Sequence, residues 1–207
     1  MFVFSFPSED KNSYYFPNFA PASFIKKSSM KETVILDKKF REMIPADIIS
    51  KRIDDLADQI NRDYENKDVV FLGILNGAFL FAAELFKRIN IRARISFVKL
   101  ASYEGTKSSG SVKELIGWNE DIKGMHVVVI EDIVDTGHTL ELVVDELKVR
   151  KVADIKIATL LLKPKAYSKK IPVDYVGFEI PNDFVVGFGL DYDGYGRNLP
   201  SVYTIIK

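Results

Sequence analysis

The stretch 127-VVVIEDIVDTGHTL-140 decides how the rest of the chain is read. Val127 to Ile130 are four consecutive β-branched residues, which suits a strand covered on both faces. Two carboxylates, Glu131 and Asp132, close that strand, and 135-DTGHT-139 leads at once into the apolar periodicity of a helix over 139–152. Carboxylates set side by side disfavour one another's ionised form unless a partner offsets them. The strand therefore runs into negative charge for a reason that the neighbouring residues must supply.

The loop after it suggests one. Between a strand end and a helix start, backbone N–H groups and the helix dipole point at an anion. Thr136 and Thr139 add hydroxyl donors, Gly137 permits close approach or positive φ, and a single terminal phosphate fits such a loop. The glycine and lysine spacing of a nucleoside-triphosphate loop is absent. The competing reading is a capped helix with Asp135 or Thr136 as N-cap and no ligand. Glu131 and Asp132 point to opposite faces of the strand end. They would repel a bare phosphate but suit a ligand that also carries hydroxyls, as ribose does, or a divalent cation such as magnesium. Taken alone, the pair also reads as a solvated strand end.

Working outward, residues 45–68 carry Ile48, Ile49, Ile53, Leu56, Ile60 and Tyr64 at helical spacing, with Asp47 as the expected N-cap. Residues 69–75 (VVFLGIL) read as a buried strand, Asn76-Gly77 as a turn and 79–89 as a helix. Strands are expected at 91–103, 112–118, 155–163 and 173–180, with a polar, glycine- and serine-rich loop at 104–112. Strands alternating with helices predict an α/β fold, a doubly wound, mainly parallel sheet with helices on both faces. Polar residues then converge at the carboxyl ends of the strands: Asn76-Gly77, Glu131-Asp132 with 135–139, and Lys163-Pro164.

Composition narrows the partners. The 207 residues hold 29 Lys+Arg and 29 Asp+Glu, so no global field argues for nucleic acid or an anionic membrane. Without cysteine there is neither a disulfide nor a thiolate metal site, which fits a reducing cytoplasm. No apolar run reaches membrane-spanning length. Residues 1–29, rich in Phe, Pro and Ser without periodicity, are expected to be a disordered extension, followed by one domain over 30–207.

The strand, the two acidic residues, the two spacers and the Asp-Thr-Gly-x-Thr run together resemble the phosphoribosyl-pyrophosphate signature of type I phosphoribosyltransferases. LNGAF at 75–79, 100-LASYEG-105, LLLKPKA at 160–166 and 175-YVGFEIPNDFVVGFGLDYDGYGRNLP-200 are similar to the further motifs of the hypoxanthine (hypoxanthine-guanine) branch, in order and with the right gaps from about Thr33 onward. The resemblance implies that Glu131 and Asp132 bind ribose hydroxyls, that residues 135–139 (Asp135, Thr136, Gly137, His138 and Thr139) hold the 5-phosphate, and that Asp135 is also the general base. It gives Lys163 to the purine oxo group, Phe184 to stacking on the purine, Val185 and Asp191 to the purine pocket, and Asn76, Gly77, Ser102, Tyr103 and Arg197 to pyrophosphate. Magnesium is the implied cofactor, with Glu131, Asp132 and Asp191 as its carboxylates.

Asn76 departs from members that carry lysine or arginine there; its backbone and that of Gly77 would serve instead, through a non-proline cis peptide. His138 is a spacer in the signature, and Asp193 is assigned to the surface. Ser102 and Tyr103 belong to a lid expected to exclude water. The resemblance further implies a small hood built from about 30–45 and 175–207, a homodimer or homotetramer, and purine and phosphoribosyl pyrophosphate as substrates. A non-catalytic regulator that senses phosphoribosyl pyrophosphate, and a transferase for another base, are the alternatives.

Overall fold

Side chains along the central strands sort by parity. Val69 and Phe71 join Val128 and Ile130 in one apolar cluster, while Val70, Leu72 and Ile74 join Val127 and Val129 in another. This is the period-2 alternation of strands buried on both faces. In the computed structural model, residues 31–103, 112–116 and 121–206 are described, with 100–103 and 112–116 as backbone only. The expected extension at 1–29, the loop at 104–111 and the side chains of Ser102 and Tyr103 lie outside the described residues.

The chain opens with a hairpin, β1 (Glu32–Ile35) and β2 (Lys38–Ile44), that no periodicity announced. Helix α1 (Ala46–Asp63) follows, then β3 (Val69–Leu75), α2 (Phe79–Phe86), β4 (Ala93–Tyr103), β5 (Val112–Ile116), β6 (His126–Val134), α3 (His138–Val149), β7 (Asp154–Leu162), β8 (Tyr175–Glu179), β9 (Val185–Val186) and β10 (Val202–Ile205). The larger sheet has the order β5-β4-β3-β6-β7-β8. Its strands are parallel except β5, which pairs antiparallel with β4. Helices α1 and α2 cover the face built by Phe71 and Ile130, and α3 covers the opposite face. The fold is the doubly wound α/β architecture expected from the alternation of elements.

Three expectations about α1 fail. α1 begins at Ala46, with Pro45 at the N-cap position and no side-chain cap, so Asp47 lies inside the first turn. The Ala46 amide donates instead to the Ser201 hydroxyl at 3.1 Å, a partner far along the chain that only the tertiary fold supplies. Ile48, counted in the apolar stripe, is exposed. Helix α1 also stops short of residue 68: Tyr64 caps its end, and the Tyr64 hydroxyl donates to Asp154.

The smaller sheet is antiparallel, in the order β1-β2-β10-β9. Phe40, Ile35, Val186 and Tyr203 form its buried centre. β8 pairs with β7 in the larger sheet, so of residues 175–207 only those after Glu179 contribute strands to the smaller one.

Candidate active site

The connections after β3 and β6 leave in opposite directions, towards β4 on one side and β7 on the other. The carboxyl ends of these adjacent strands therefore form a switch-point crevice, the usual ligand position in such sheets. Gly77, in the turn after β3, faces Asp132 across it: a Cβ at Gly77 would collide with the Asp132 carboxylate. The Leu75–Asn76 peptide before it is cis. A third turn closes on the same point, since a Cβ at Gly189, which has φ +102°, would strike the Gly77 carbonyl.

Glu131 and Asp132 diverge at the strand end: Glu131 lines a cavity at the start of α3, and Asp132 faces Gly77, its Oδ1 accepting the Ile133 amide at 2.9 Å. Burial pushes its carboxyl up to about 6, with the Ile133 amide and Arg197 pulling down and Asp191 pushing up. Glu131 lies on the side of α3, 8% exposed. Its Oε2 is buried without a hydrogen-bond partner among the described residues, and burial, together with the charge of Asp132, holds its carboxyl well above the ordinary range. A buried carboxyl short of a donor suits a ligand hydroxyl or a hard cation.

The loop after β6 has a glycine where a cap was the alternative. Gly137 is the N-cap residue of α3 at φ 84°, and no side chain caps the helix. Asp135 and Thr136 are therefore not its caps. Glu131 and residues 133–140 line a cavity of about 80 Å³ at this helix start. The segment after β7 packs against this loop: a Cβ at Gly137 would meet the Tyr167 ring and Lys169, and the Ser168 hydroxyl donates to the Thr136 carbonyl at 3.3 Å. Lys169 pairs with Glu141, in the first turn of α3, at 2.7 Å. At the root of the same segment, the Lys163 ammonium lies 2.8 Å from Asp135 Oδ2.

From the other side, the smaller sheet and the chain before it hold Phe184, 46% exposed, with the edge of Tyr192 against it at 5.9 Å between ring centroids. Val185 is buried in β9. Arg197 Nη2 pairs with Asp191 Oδ1 at 2.6 Å, and Nη1 donates to the Gly189 carbonyl at 2.7 Å. The second Asp191 oxygen accepts the Gly194 amide at 2.7 Å. Among the described residues, no three acidic or histidine side chains converge on one point.

A family model described as the phosphoribosyl transferase domain matches residues 43–193. A hypoxanthine-guanine phosphoribosyltransferase from Streptococcus pyogenes serotype M3 is 46% identical over 155 residues, which is 74% of this chain and 86% of that protein. One from Streptococcus pneumoniae is 44% identical over 161 residues, covering 77% and 89%.

The chain belongs to the hypoxanthine-guanine phosphoribosyltransferase family.

Solved phosphoribosyltransferases agree in shape. A hypoxanthine phosphoribosyltransferase from Staphylococcus aureus superposes with a TM-score of 0.74 at 37% identity, over 80% of this chain and 90% of that one. A hypoxanthine-guanine phosphoribosyltransferase from Bacillus anthracis does so at 0.73 and 32%, over 86% and 99%. Some residues of this phosphoribosyltransferase site escaped the reading of the sequence. Gly189 is one; its signal was the glycine-rich GFGL run, but its partner Gly77 lies 112 positions away in a different sheet connection. Tyr167, Ser168 and Lys169 are others, in a loop whose composition predicts only exposure. His138 is exposed at the first position of α3, and Asp193 is exposed, as its assignment to the surface expected.

Proposed function

We propose that the chain transfers the phosphoribosyl group of 5-phosphoribosyl 1-pyrophosphate to hypoxanthine or guanine in purine salvage, giving IMP or GMP and pyrophosphate. One observation carries this reading: Lys163 and Asp135 meet at 2.8 Å beside a helix start that no side chain caps. A purine needs a cation for its oxo group, a base for its ring nitrogen and a ring to stack on. A sugar phosphate needs donors at a helix start and acceptors for its hydroxyls.

In the proposed reaction a purine ring nitrogen attacks the anomeric carbon of the sugar. The C–N bond forms as the bond from that carbon to the pyrophosphate oxygen breaks, and the nitrogen's proton passes to Asp135. Lys163 leaves Asp135 and donates to the oxo group, where negative charge grows as the base reacts. Thr136, Gly137, His138 and Thr139 hold the 5-phosphate with backbone amides and hydroxyls, and Glu131 and Asp132 accept from the ribose hydroxyls. Asn76, Gly77, Ser102, Tyr103 and Arg197 serve the pyrophosphate; Phe184, Val185 and Asp191 surround the purine.

Magnesium fits the acidic residues in the proposed scheme. It is typically held by one or two carboxylates and by substrate oxygens. Asp132 and Asp191 are close enough to raise the proton affinity of Asp132, and Glu131 has an unpartnered oxygen. The cation would neutralise charge on the departing pyrophosphate. Arg197 now holds one oxygen of Asp191, so the same arginine would exchange a carboxylate for a pyrophosphate oxygen.

No described helix is long and apolar enough to cross a membrane. We place the enzyme in the cytoplasm, as a homodimer or homotetramer, with residues 1–29 as an extension to one domain and the small sheet as its hood. Analytical ultracentrifugation tests the assembly. Incubation with magnesium, phosphoribosyl pyrophosphate and each purine in turn tests the activity by nucleotide formation. Tight binding of the sugar phosphate with no product from any purine would overturn the enzyme in favour of a regulator.

A further inference from the structure

The ring assigned to the purine is not held by its own strand. Phe184 precedes β9 and is nearly half exposed, so its orientation depends on what touches its buried side. Two rings do: Tyr192, edge-on at 84°, and Phe40 of β2, tilted at 44° with centroids 6.4 Å apart. Phe40 and Tyr192 also meet each other, at 6.2 Å. Phe40 is fully buried at the centre of the small sheet. Tyr192 stands in the partly exposed turn after Leu190, and its hydroxyl donates to Asp37 Oδ1 at 2.8 Å. Asp37 lies in the two-residue turn of the β1–β2 hairpin, 155 positions away in sequence.

We propose that Asp37 and Tyr192 are positioning residues for purine recognition: the hairpin turn holds the tyrosine, and the tyrosine holds the stacking face of Phe184. The inference rests on the stacking role given to Phe184. The physical case is geometric. A tyrosine has two side-chain torsions. An edge-to-face pair is favourable only over a narrow range of ring orientation. A hydrogen bond at the far end of the ring removes the swing that would let Phe184 follow it. The bond holds the Asp37 carboxyl below its ordinary range and the Tyr192 hydroxyl above its own. Lys38 also pairs with Asp37, at 3.1 Å, through the other carboxylate oxygen, so the turn is anchored on both sides.

Placing Asp37 here gives the first hairpin a task in the reaction. Neither residue touches the sugar phosphate loop at 135–139, so the effect of losing the bond should fall on one substrate only. Steady-state kinetics on the full chain, with purine and phosphoribosyl pyrophosphate varied separately, tests this. D37A and Y192F are expected to raise KM for hypoxanthine about threefold to tenfold, the range of one hydrogen bond, with kcat and KM for phosphoribosyl pyrophosphate within about twofold. D37N keeps the accepting oxygen and should restore the purine KM, which a purely electrostatic role for Asp37 would not allow. An unchanged purine KM in both D37A and Y192F overturns the inference. So does a parallel rise in both KM values with a lower Tm. F184A separates the two levels of argument: a raised purine KM there, with D37A and Y192F unaffected, removes the clasp alone, whereas no change in F184A removes the stacking role and the clasp with it.

Discussion

The ammonium of Lys163 sits 2.8 Å from Oδ2 of Asp135, so the group proposed to read the purine and the group proposed to deprotonate it neutralise each other before substrate arrives. Lys163 is nearly buried, at 11% side-chain exposure, and Asp135 is the more open partner at 46%. Removing Asp135 therefore leaves a buried ammonium without its carboxylate, whereas removing Lys163 leaves an exposed carboxylate that water can solvate. D135N should lower kcat by about a hundredfold to ten-thousandfold, the usual range for general base catalysis, and also lower Tm. K163M should mainly raise KM for the purine at little loss of Tm. Single-substrate kinetics and thermal melts separate the two; equal losses of kcat in both variants would contradict the division of roles.

Asp132 should make stability fall with rising pH. Its folded carboxyl is pushed up to about 6 from an ordinary 3.8. A group that holds its proton more tightly when folded contributes most below its unfolded value, and that contribution is lost as pH rises through the folded value. D132N removes the ionising group and keeps an oxygen for the Ile133 amide. Its stability relative to the unsubstituted chain should therefore improve across about pH 4–7, by about 1–3 kcal/mol at the upper end, while turnover is lost. Chemical denaturation at several pH values reads this difference, and a constant offset across that window would refute it.

Gly189 and Gly77 should behave as a linked pair. G189A forces a side chain into φ +102° and into the Gly77 carbonyl, at a penalty of about 1–3 kcal/mol from the backbone alone. G77A drives a methyl group into the Asp132 carboxylate. Both variants should lower Tm and weaken product inhibition by pyrophosphate. An unaltered melting temperature in G189A would mean the turn has room that the contact denies.

Gly137 at φ 84° should resist replacement for a different reason. G137A meets the Tyr167 ring and Lys169, as well as the roughly 1–2 kcal/mol of a left-handed alanine. Relieving that clash shifts the loop at the start of α3, so KM for phosphoribosyl pyrophosphate should rise severalfold with the purine KM little changed. Kinetics at saturating purine reads it, and a selective loss of purine affinity would count against the loop as the phosphate site.

The legible part of this protein was the part written in local pattern. Strict parity from Val127 to Ile130 sends alternate side chains to opposite faces, and the larger sheet obeys it. Local pattern also misled. Asp47 has the side chain of an N-cap, yet Ser201 takes the Ala46 amide, and a hydroxyl 155 residues away leaves no trace in the helix's own sequence. Residues 32–44, charged at Glu32, Asp37, Lys38, Lys39, Arg41 and Glu42, carry too little apolar alternation to announce a hairpin, whose second strand pairs with β10.

By itself, the sequence determined the alternation of strands and helices, the strand end at Glu131-Asp132 and the glycine at the helix start, because each depends on residues within a turn or two of one another. Only the tertiary structure decided what those residues face. The collision course of Gly77 with Asp132, the pairing of Lys163 with Asp135 and the bond from Tyr192 to Asp37 join segments separated by 28 to 155 positions. Such contacts are set by how sheet order and crossovers bring strand ends together, and no local propensity encodes that distance.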